Sequence, residues 1–328
     1  MRKKIFFGIT FMLIILFVVS SVVMAGEAIK LKYGHDGSLT HQYHIAATYF
    51  KELVEEKTNG RIEIVIFPQG QLGHERELAE GVKMGTVDIC TVSSGALPSW
   101  VPSFQVWGVP FLIRDRQHAY NVCDGAIGEQ WKKEFLAQGM RVMGYGDIGL
   151  RNFTNNVRSI RTPEDMKGLK FRVHESKIWL VTMKAFNATG VPIPFGELYT
   201  ALQQGVVDGQ ENPLATIRSM KFYEVQKYCA ITKHSFTPYC YLMNPKKYDG
   251  LSPEDQKIIQ EAFTATEKYQ RDIQIKNYDN NLQYLKDQGM QIEENVDIPA
   301  FIEVTKNVSK AVEDVVPPEL VEQIRNTK

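Results

Sequence analysis

Two stretches of this chain repeat one another 120 residues apart, and the repeat limits the folds open to it. Glu77-Leu78-Ala79-Glu80-Gly81-Val82-Lys83-Met84-Gly85-Thr86-Val87-Asp88 aligns with Glu197-Leu198-Tyr199-Thr200-Ala201-Leu202-Gln203-Gln204-Gly205-Val206-Val207-Asp208. Each opens on an acidic residue and Leu, continues as an amphipathic helical stretch, stops at a Gly and reaches Asp through a β-branched pair. An apolar strand-like run precedes each, Ile62 to Phe67 and Val191 to Phe195. Strand, helix, strand thus occurs twice, which predicts two similar α/β lobes instead of one large core. Two lobes imply a cleft, where small ligands bind.

The rest of the chain fits that plan. Lys30 to Gly34 alternates like a first strand, and the spacing of Ile45, Tyr49 and Leu53 predicts a helix over 44–56, closed by Asn59-Gly60. Glu75 to Met84 reads as a helix and Val87 to Val92 as a strand. Trp107 to Phe111 reads as extended, Ala119 to Gln138 as one helix and Arg141 to Tyr145 as a strand. Gly144, Gly146 and Gly149 then mark a crossing into the second lobe. There the strands expected over 169–173, 191–195 and 206–210 alternate with helices over 178–186, 197–204 and 213–224. This alternation predicts parallel sheets in both lobes. Tyr228 to Thr232 and Tyr239 to Met243 return the chain to the first lobe. Pro253 starts one helix running to about Gln288, whose apolar stripe shifts from Ile258, Ala262, Tyr269 and Ile273 to Tyr278, Leu282 and Leu285. A stripe that changes face predicts one end on each lobe, with a helix on a single lobe as the plainer alternative. The expected division is a leader over 1–25, lobe I over 26–148 plus about 238–275, and lobe II over 149–237 plus about 276–328.

Arg2, Lys3 and Lys4 precede an apolar run from Ile5 to Val23, and Val23-Met24-Ala25 supplies small residues for cleavage after Ala25. An export signal follows, with an uncleaved anchor as the alternative because the run is long. No Cys near the cut could carry a lipid, so retention by an outer membrane, and hence the periplasm, is expected. Without those three basic residues, 35 basic oppose 38 acidic side chains, and no basic stripe suggests nucleic acid. Cys90, Cys123, Cys229 and Cys240 sit in apolar contexts and read as core residues, although three disulfide pairings are conceivable.

No phosphate loop, nucleophile elbow or Cys-x-x-Cys occurs, so no catalytic set and no cofactor is expected. His41 and His44 lack a third ligand at suggestive spacing and read as a surface pair, not a metal site. Three polar residues of the second lobe are more telling. Arg151 follows the glycine-rich crossing, Arg172 ends the run Leu169-Lys170-Phe171-Arg172, and Asn212 follows Val207-Asp208-Gly209-Gln210-Glu211. All fall near the carboxyl ends of expected strands, where open α/β sheets bind ligands. A guanidinium fork suits a planar carboxylate. Each has a plainer reading. Asn212 before Pro213 suits a helix N-cap, Arg172 after Lys167 and Lys170 suits a solvated edge, and Phe195 and Trp107 suit the core.

At these residues the chain resembles the solute-binding proteins of TRAP (tripartite ATP-independent periplasmic) transporters, DctP type. The resemblance is carried by Leu169-Lys170-Phe171-Arg172-Val173, by Phe195-Gly196-Glu197-Leu198-Tyr199-Thr200-Ala201-Leu202-Gln203 and by Val207-Asp208-Gly209-Gln210-Glu211-Asn212-Pro213. Phe222 to Tyr228, Gly70-Gln71-Leu72-Gly73 and the run ending at Asp88 extend it over nearly the whole chain. It implies an α/β, two-lobed periplasmic-binding-protein-like fold with a ligand cleft between the lobes and a long bridging helix. It also implies a monomer that captures an organic acid and delivers it to the TRAP membrane permease. The family's carboxylate clamp falls on Arg172, assisted by Arg151 and Asn212, with Phe195 packing against the ligand. Ser93-Ser94 stand where sialic-acid binders carry an acidic residue, and His174-Glu175 replace a Pro-Asn type of pair, which argues against sialic acid. Glu75 and Glu175 suit ligand hydroxyls, and Asp36 and Ser93 complete the expected ligand-binding set. The ligand expected is therefore a hexuronate or other sugar acid, with four-carbon dicarboxylates as the alternative. A sensory receptor for a membrane kinase and an exported sugar-acid enzyme are the rival functions.

Overall fold

The computed structural model describes residues 28–328, so the export signal and its cut after Ala25 lie outside the described residues. The strands are β1 (Ile29–Gly34), β2 (Ile62–Phe67), β3 (Ile89–Ser93), β4 (Arg141–Leu150), β5 (Asn152–Asn155), β6 (Lys170–Val173), β7 (Thr189–Pro192), β8 (Gly209–Asn212), β9 (Tyr228–Ala230), β10 (Phe236–Met243) and β11 (Gln291–Glu293). The α-helices are α1 (Gln42–Lys57), α2 (Glu75–Met84), α3 (Arg116–Asp124), α4 (Ala126–Ala137), α5 (Lys177–Ala185), α6 (Leu198–Gln203), α7 (Leu214–Ser219), α8 (Pro245–Asp249), α9 (Pro253–Lys276), α10 (Tyr278–Asp287), α11 (Ile298–Thr305) and α12 (Pro318–Asn326).

Two sheets form, in the orders β2-β1-β3-β10-β4 and β11-β9-β5-β8-β6-β7. The repeat read from the sequence lies inside them as two copies of β-α-β-α-β. One copy is β1-α1-β2-α2-β3 and the other β6-α5-β7-α6-β8, each with its first strand in the middle. The repeated Asp does the same work in both. Asp88 accepts the Lys32 backbone N–H at 2.7 Å, and Asp208 accepts that of Lys170 at 2.7 Å. Gly85 and Gly205 end their helices in the left-handed region, at φ 81° and 67°, which glycine adopts without a Cβ penalty.

The sheets are mixed, not parallel as expected: β10 is antiparallel to β3 and β4, and β5 is antiparallel to β8 and β9. The cause is the crossing. β4 runs into β5 with only Arg151 between them, and β9 returns to β10, so a two-stranded antiparallel ribbon passes through both sheets. The Arg151 backbone N–H donates to the Ser235 carbonyl (2.9 Å), and the His234 N–H donates to the Arg151 carbonyl (3.2 Å). The crossing glycines are not turns. Gly144 and Gly146 lie within β4 because the Glu267 and Tyr239 side chains occupy the space a Cβ would need.

Three expected helices are interrupted. The helix over 119–138 is α3 and α4, divided at Gly125, and that over 213–224 stops at Ser219 because Lys221 takes a φ of 57°. The long helix from Pro253 breaks at Asn277, and its two parts divide the bridging between them. α9 packs on α1 and β4, whereas α10 packs on α7. The region of Trp107 is a buried 3₁₀ turn over Pro102–Gly108, not an extended segment. The last helix seats beside α3, where His118 lies 2.8 Å from the Ile324 carbonyl and Arg114 donates to that of Arg325 (2.8 Å). All four cysteines are free and buried.

Candidate functional site

β6 has strands on both sides, so Phe171, Arg172 and Val173 are all withdrawn from solvent, Arg172 at 2% exposure. Phe171 and Val173 enter the apolar core, and alternation along the strand turns Arg172 to the other face, toward the first lobe. Its Nε–H donates to the Ile193 carbonyl at 2.7 Å. The terminal nitrogens find no acceptor among the described residues, and Nη1 is buried without one. Burial pulls the guanidinium down to about 10, against the opposing field of Glu211, with Arg151 adding to the depression. It stays charged at neutral pH, with donors that a ligand carboxylate would satisfy.

The first lobe faces it with carboxylates. Glu75, the first residue of α2, accepts from the Tyr43 hydroxyl (3.0 Å), the Ser93 N–H (2.6 Å) and the Ser93 hydroxyl (2.7 Å). These bonds fix both of its oxygens at the edge of the cleft. Asp36, just past β1, is buried with neither oxygen hydrogen-bonded. Burial and then the nearby Glu75 raise its pKa well above the usual range, while Arg172 opposes the shift.

Arg151 sits deeper, at the ribbon between the lobes. Its Nε and Nη2 pair with the Glu211 carboxylate, Nη2 also donates to Asn212 Oδ1 (3.0 Å), and Nη1 donates to the Thr237 hydroxyl (3.1 Å). Burial works against a Glu211 charge, yet Arg151 holds that carboxyl below the ordinary value. Asn212 ends β8 and caps no helix: the residue before α7 is Pro213. Its amide is taken up by Arg151 and by Gln210.

Phe195 is half-buried, 5.9 Å ring to ring from His41 across the seam. Glu175 is exposed at the mouth of the cleft, 3.7 Å from Arg76 of the first lobe. Glu75, Arg172, His174, Glu175 and Phe195 line a cavity of about 80 Å³. A smaller one of about 10 Å³, lined by Tyr43, Glu75, Ser93, Phe195, Asn212 and Thr216, adjoins it. The lobes stand together: Ser38 donates to the Ser219 carbonyl (2.9 Å), and Gln42 donates to the Thr216 hydroxyl (3.0 Å). A space far below the ~300–1,000 Å³ of ordinary ligand sites leaves little room for a ligand while the lobes stand together.

His41, expected in a surface pair with His44, is instead 1% exposed, its ring packed between Tyr43 and Phe195, and neither His74 nor His174 was among the expected ligand-binding residues. His174 is buried against Trp179, and burial, then Arg172 and Arg151, hold it well below its usual pKa and neutral. His41 is pushed down to about 3 by burial and then by His35. The repeat carried a signal for His174, since Gly34-His35-Asp36 after β1 matches Val173-His174-Glu175 after β6. No group of three His, Cys, Asp or Glu among the described residues is placed to hold a metal ion.

The family described as bacterial extracellular solute-binding protein, family 7 (DctP), matches residues 33–314. The chain belongs to this family. The 2,3-diketo-L-gulonate-binding periplasmic protein of Escherichia coli K12 is 34% identical over 278 residues, covering 85% of each chain. A TRAP periplasmic solute-binding protein of Polaromonas, solved with D-erythronate, is 36% identical with a TM-score of 0.88, over 92% of this chain and 99% of that one. A sugar acid-binding protein of Advenella mimigardefordensis, solved with galactonate, is 30% identical with a TM-score of 0.89, over 92% and 97%. The protein is thus a TRAP solute-binding protein of the DctP type, with the two-lobed α/β fold of that family. Its relatives are binding proteins of transporters, not enzymes.

Proposed function

We propose that this solute-binding protein captures a hydroxylated monocarboxylate, a sugar acid, in the periplasm and hands it as a monomer to the TRAP membrane permease. The observation that carries this reading is the Arg172 fork, buried between the lobes with its terminal nitrogens unpaired. The ligand carboxylate takes that fork. Arg151 is spent on Glu211, Thr237 and Asn212, so it acts as a positioning residue, fixing Asn212 against the cavity. A four-carbon dicarboxylate would need a second free cation, and Arg76, the other cation lining the cavity, is instead paired with Glu175 at 3.7 Å. Glu75, Asp36 and Ser93 instead offer acceptors for hydroxyls, while Phe195 covers a carbon face. The ligands in the named relatives, diketogulonate, erythronate and galactonate, are all monocarboxylates with hydroxyl or keto groups along the chain.

A thermal-shift screen of aldonates, uronates and dicarboxylates identifies the ligand, because a molecule that binds only the folded form raises its melting point. Arg172→Ala then weakens that ligand by roughly thirty-fold to several thousand-fold, the equivalent of the ~2–5 kcal/mol lost on truncating one partner of a buried charge pair. Arg172→Lys also weakens it, since a point charge cannot replace two parallel bonds. Calorimetric titration giving less than about tenfold for Arg172→Ala would reject the clamp.

A further inference from the structure

The Gln42–Thr216 hydrogen bond is a partition with a cavity on either side. His41, Tyr43 and Thr216 face the ligand cleft, whereas Thr40, Gln42, Ala215 and Ser219, from the same two segments, face a separate cavity of about 590 Å³. Its third wall is the bridging helix on both sides of the break at Asn277. Such a volume lies within the ~300–1,000 Å³ typical of small-molecule sites.

The lining is chemically one-sided. It holds two cations, Arg218 and Lys221, five side-chain amides and no carboxylate. Arg218 is braced over the Tyr284 ring at 4.1 Å and donates to Asn281 at 3.1 Å, which leaves the rest of its fork for an anion. Glu224 stands outside the lining, 3.6 Å from Lys221, and is shared with the Tyr199 hydroxyl. Gln274, 4% exposed as a residue, is among the five amides that line the cavity. An amide in that lining can both donate to and accept from a ligand hydroxyl.

We propose that this cavity is a second binding site, for a small hydroxylated anion such as an aldonate or a sugar phosphate. The two cations hold the anionic group, and the amides, donor and acceptor at once, hold the hydroxyls. Both lobes and both parts of the bridging helix contribute to it, so an occupant binds the lobes-together form. It therefore tightens the ligand cleft, and the cleft ligand tightens it by the same factor. That coupling rests on the proposed function; the site itself does not.

The test uses the whole mature chain carrying Arg172→Ala, which silences the cleft, with gluconate, 6-phosphogluconate and inorganic phosphate as probes against chloride at matched ionic strength. At about 10 mM, 6-phosphogluconate raises the melting temperature by about 2 °C or more, and adding Arg218→Gln removes the rise. Asn280→Leu, which leaves Arg218 in place, weakens the probe about fivefold, the value of one hydrogen bond, and guards against misfolding of the arginine variant. No rise beyond chloride with any probe, or an equal rise in the Arg218→Gln protein, overturns the site. A failed cleft clamp would show instead as unchanged cleft affinity in Arg172→Ala.

Discussion

Histidines that each lobe sends into the other require glycine at 95 and 196. The His174 ring of the second lobe fills the space a Cβ on Gly95 would need, and the His74 ring of the first lobe does the same at Gly196. Neither glycine has a left-handed φ, so a side chain there strains only the lobes-together form. Because His174 is packed against Trp179, it cannot swing aside. Gly95→Ala should leave the melting temperature of the ligand-free, open protein within about 1 °C and weaken ligand binding by about fivefold or more, the ~1–3 kcal/mol typical of overpacking. Scanning fluorimetry and titration calorimetry read the two numbers, and unchanged affinity would show that the lobes close in some other way. Residues of this kind are hard to see in a sequence. Its place near a strand end put Arg172 by a ligand edge, but the lysines before it fitted an edge in bulk water equally well. Glycines matched to a distant ring carry no local mark, and a lone His in an apolar context reads as core. What strand ends did indicate was a shared edge for Arg151, Arg172 and Asn212: Arg172 lines one cavity and Asn212 the small one beside it, while Arg151 is turned to Glu211.

At the scale of elements the repeat was legible because it is local. Helix, glycine stop and Asp lie within twelve residues, and the Asp serves the neighbouring first strand in both copies. Asp88→Ala and Asp208→Ala each remove a charged acceptor from a strand N–H. Each should cost about 1–2 kcal/mol in urea unfolding, nearer the upper value for Asp88, which is 8% exposed. If either variant matched the parent, the shared Asp would be an accident of sequence and not a feature of the fold. Strand direction was not legible, because the partners of β10 lie 86 to 154 residues upstream and no short window contains them. Helix breaks were missed for a different reason. Lys221 and Asn277 are ordinary residues whose backbone is set by where the chain must go next. The change of face between Ile273 and Tyr278 pointed to bridging, and tertiary packing put the break where the face changes.

For the whole molecule, closing the lobes is a burial reaction, and what it buries is titratable. His41 and His174 lie in the seam, and burial, with Arg172 and Arg151 acting on His174, keeps both rings neutral. Asp36 and Glu75 face the same space from the first lobe. Opening returns the rings to water, where an imidazole titrates near 6.5. A group whose pKa is depressed in the closed form contributes its full stabilisation above about 6.5 and loses it as the pH falls. Below that point the two open-form rings hold protons that closing releases, whereas Asp36, raised in the closed form, takes one up; two rings against one carboxyl leave a net release, so acid favours opening and opposes capture. Each ring buried on closure can weaken the apparent affinity by up to about tenfold per pH unit below 6.5. Titrations at neutral pH and at roughly one unit below 6.5 should therefore show weaker binding in acid, with proton release on binding in the acidic buffer. The ligand carboxylate stays ionised over this range, so its own titration cannot produce the trend. Replacing His174 with Asn keeps a hydrogen-bonding side chain while removing one titrating ring, and should flatten the slope. A flat affinity across the range would mean that both rings stay buried when the lobes part, and that the seam opens elsewhere.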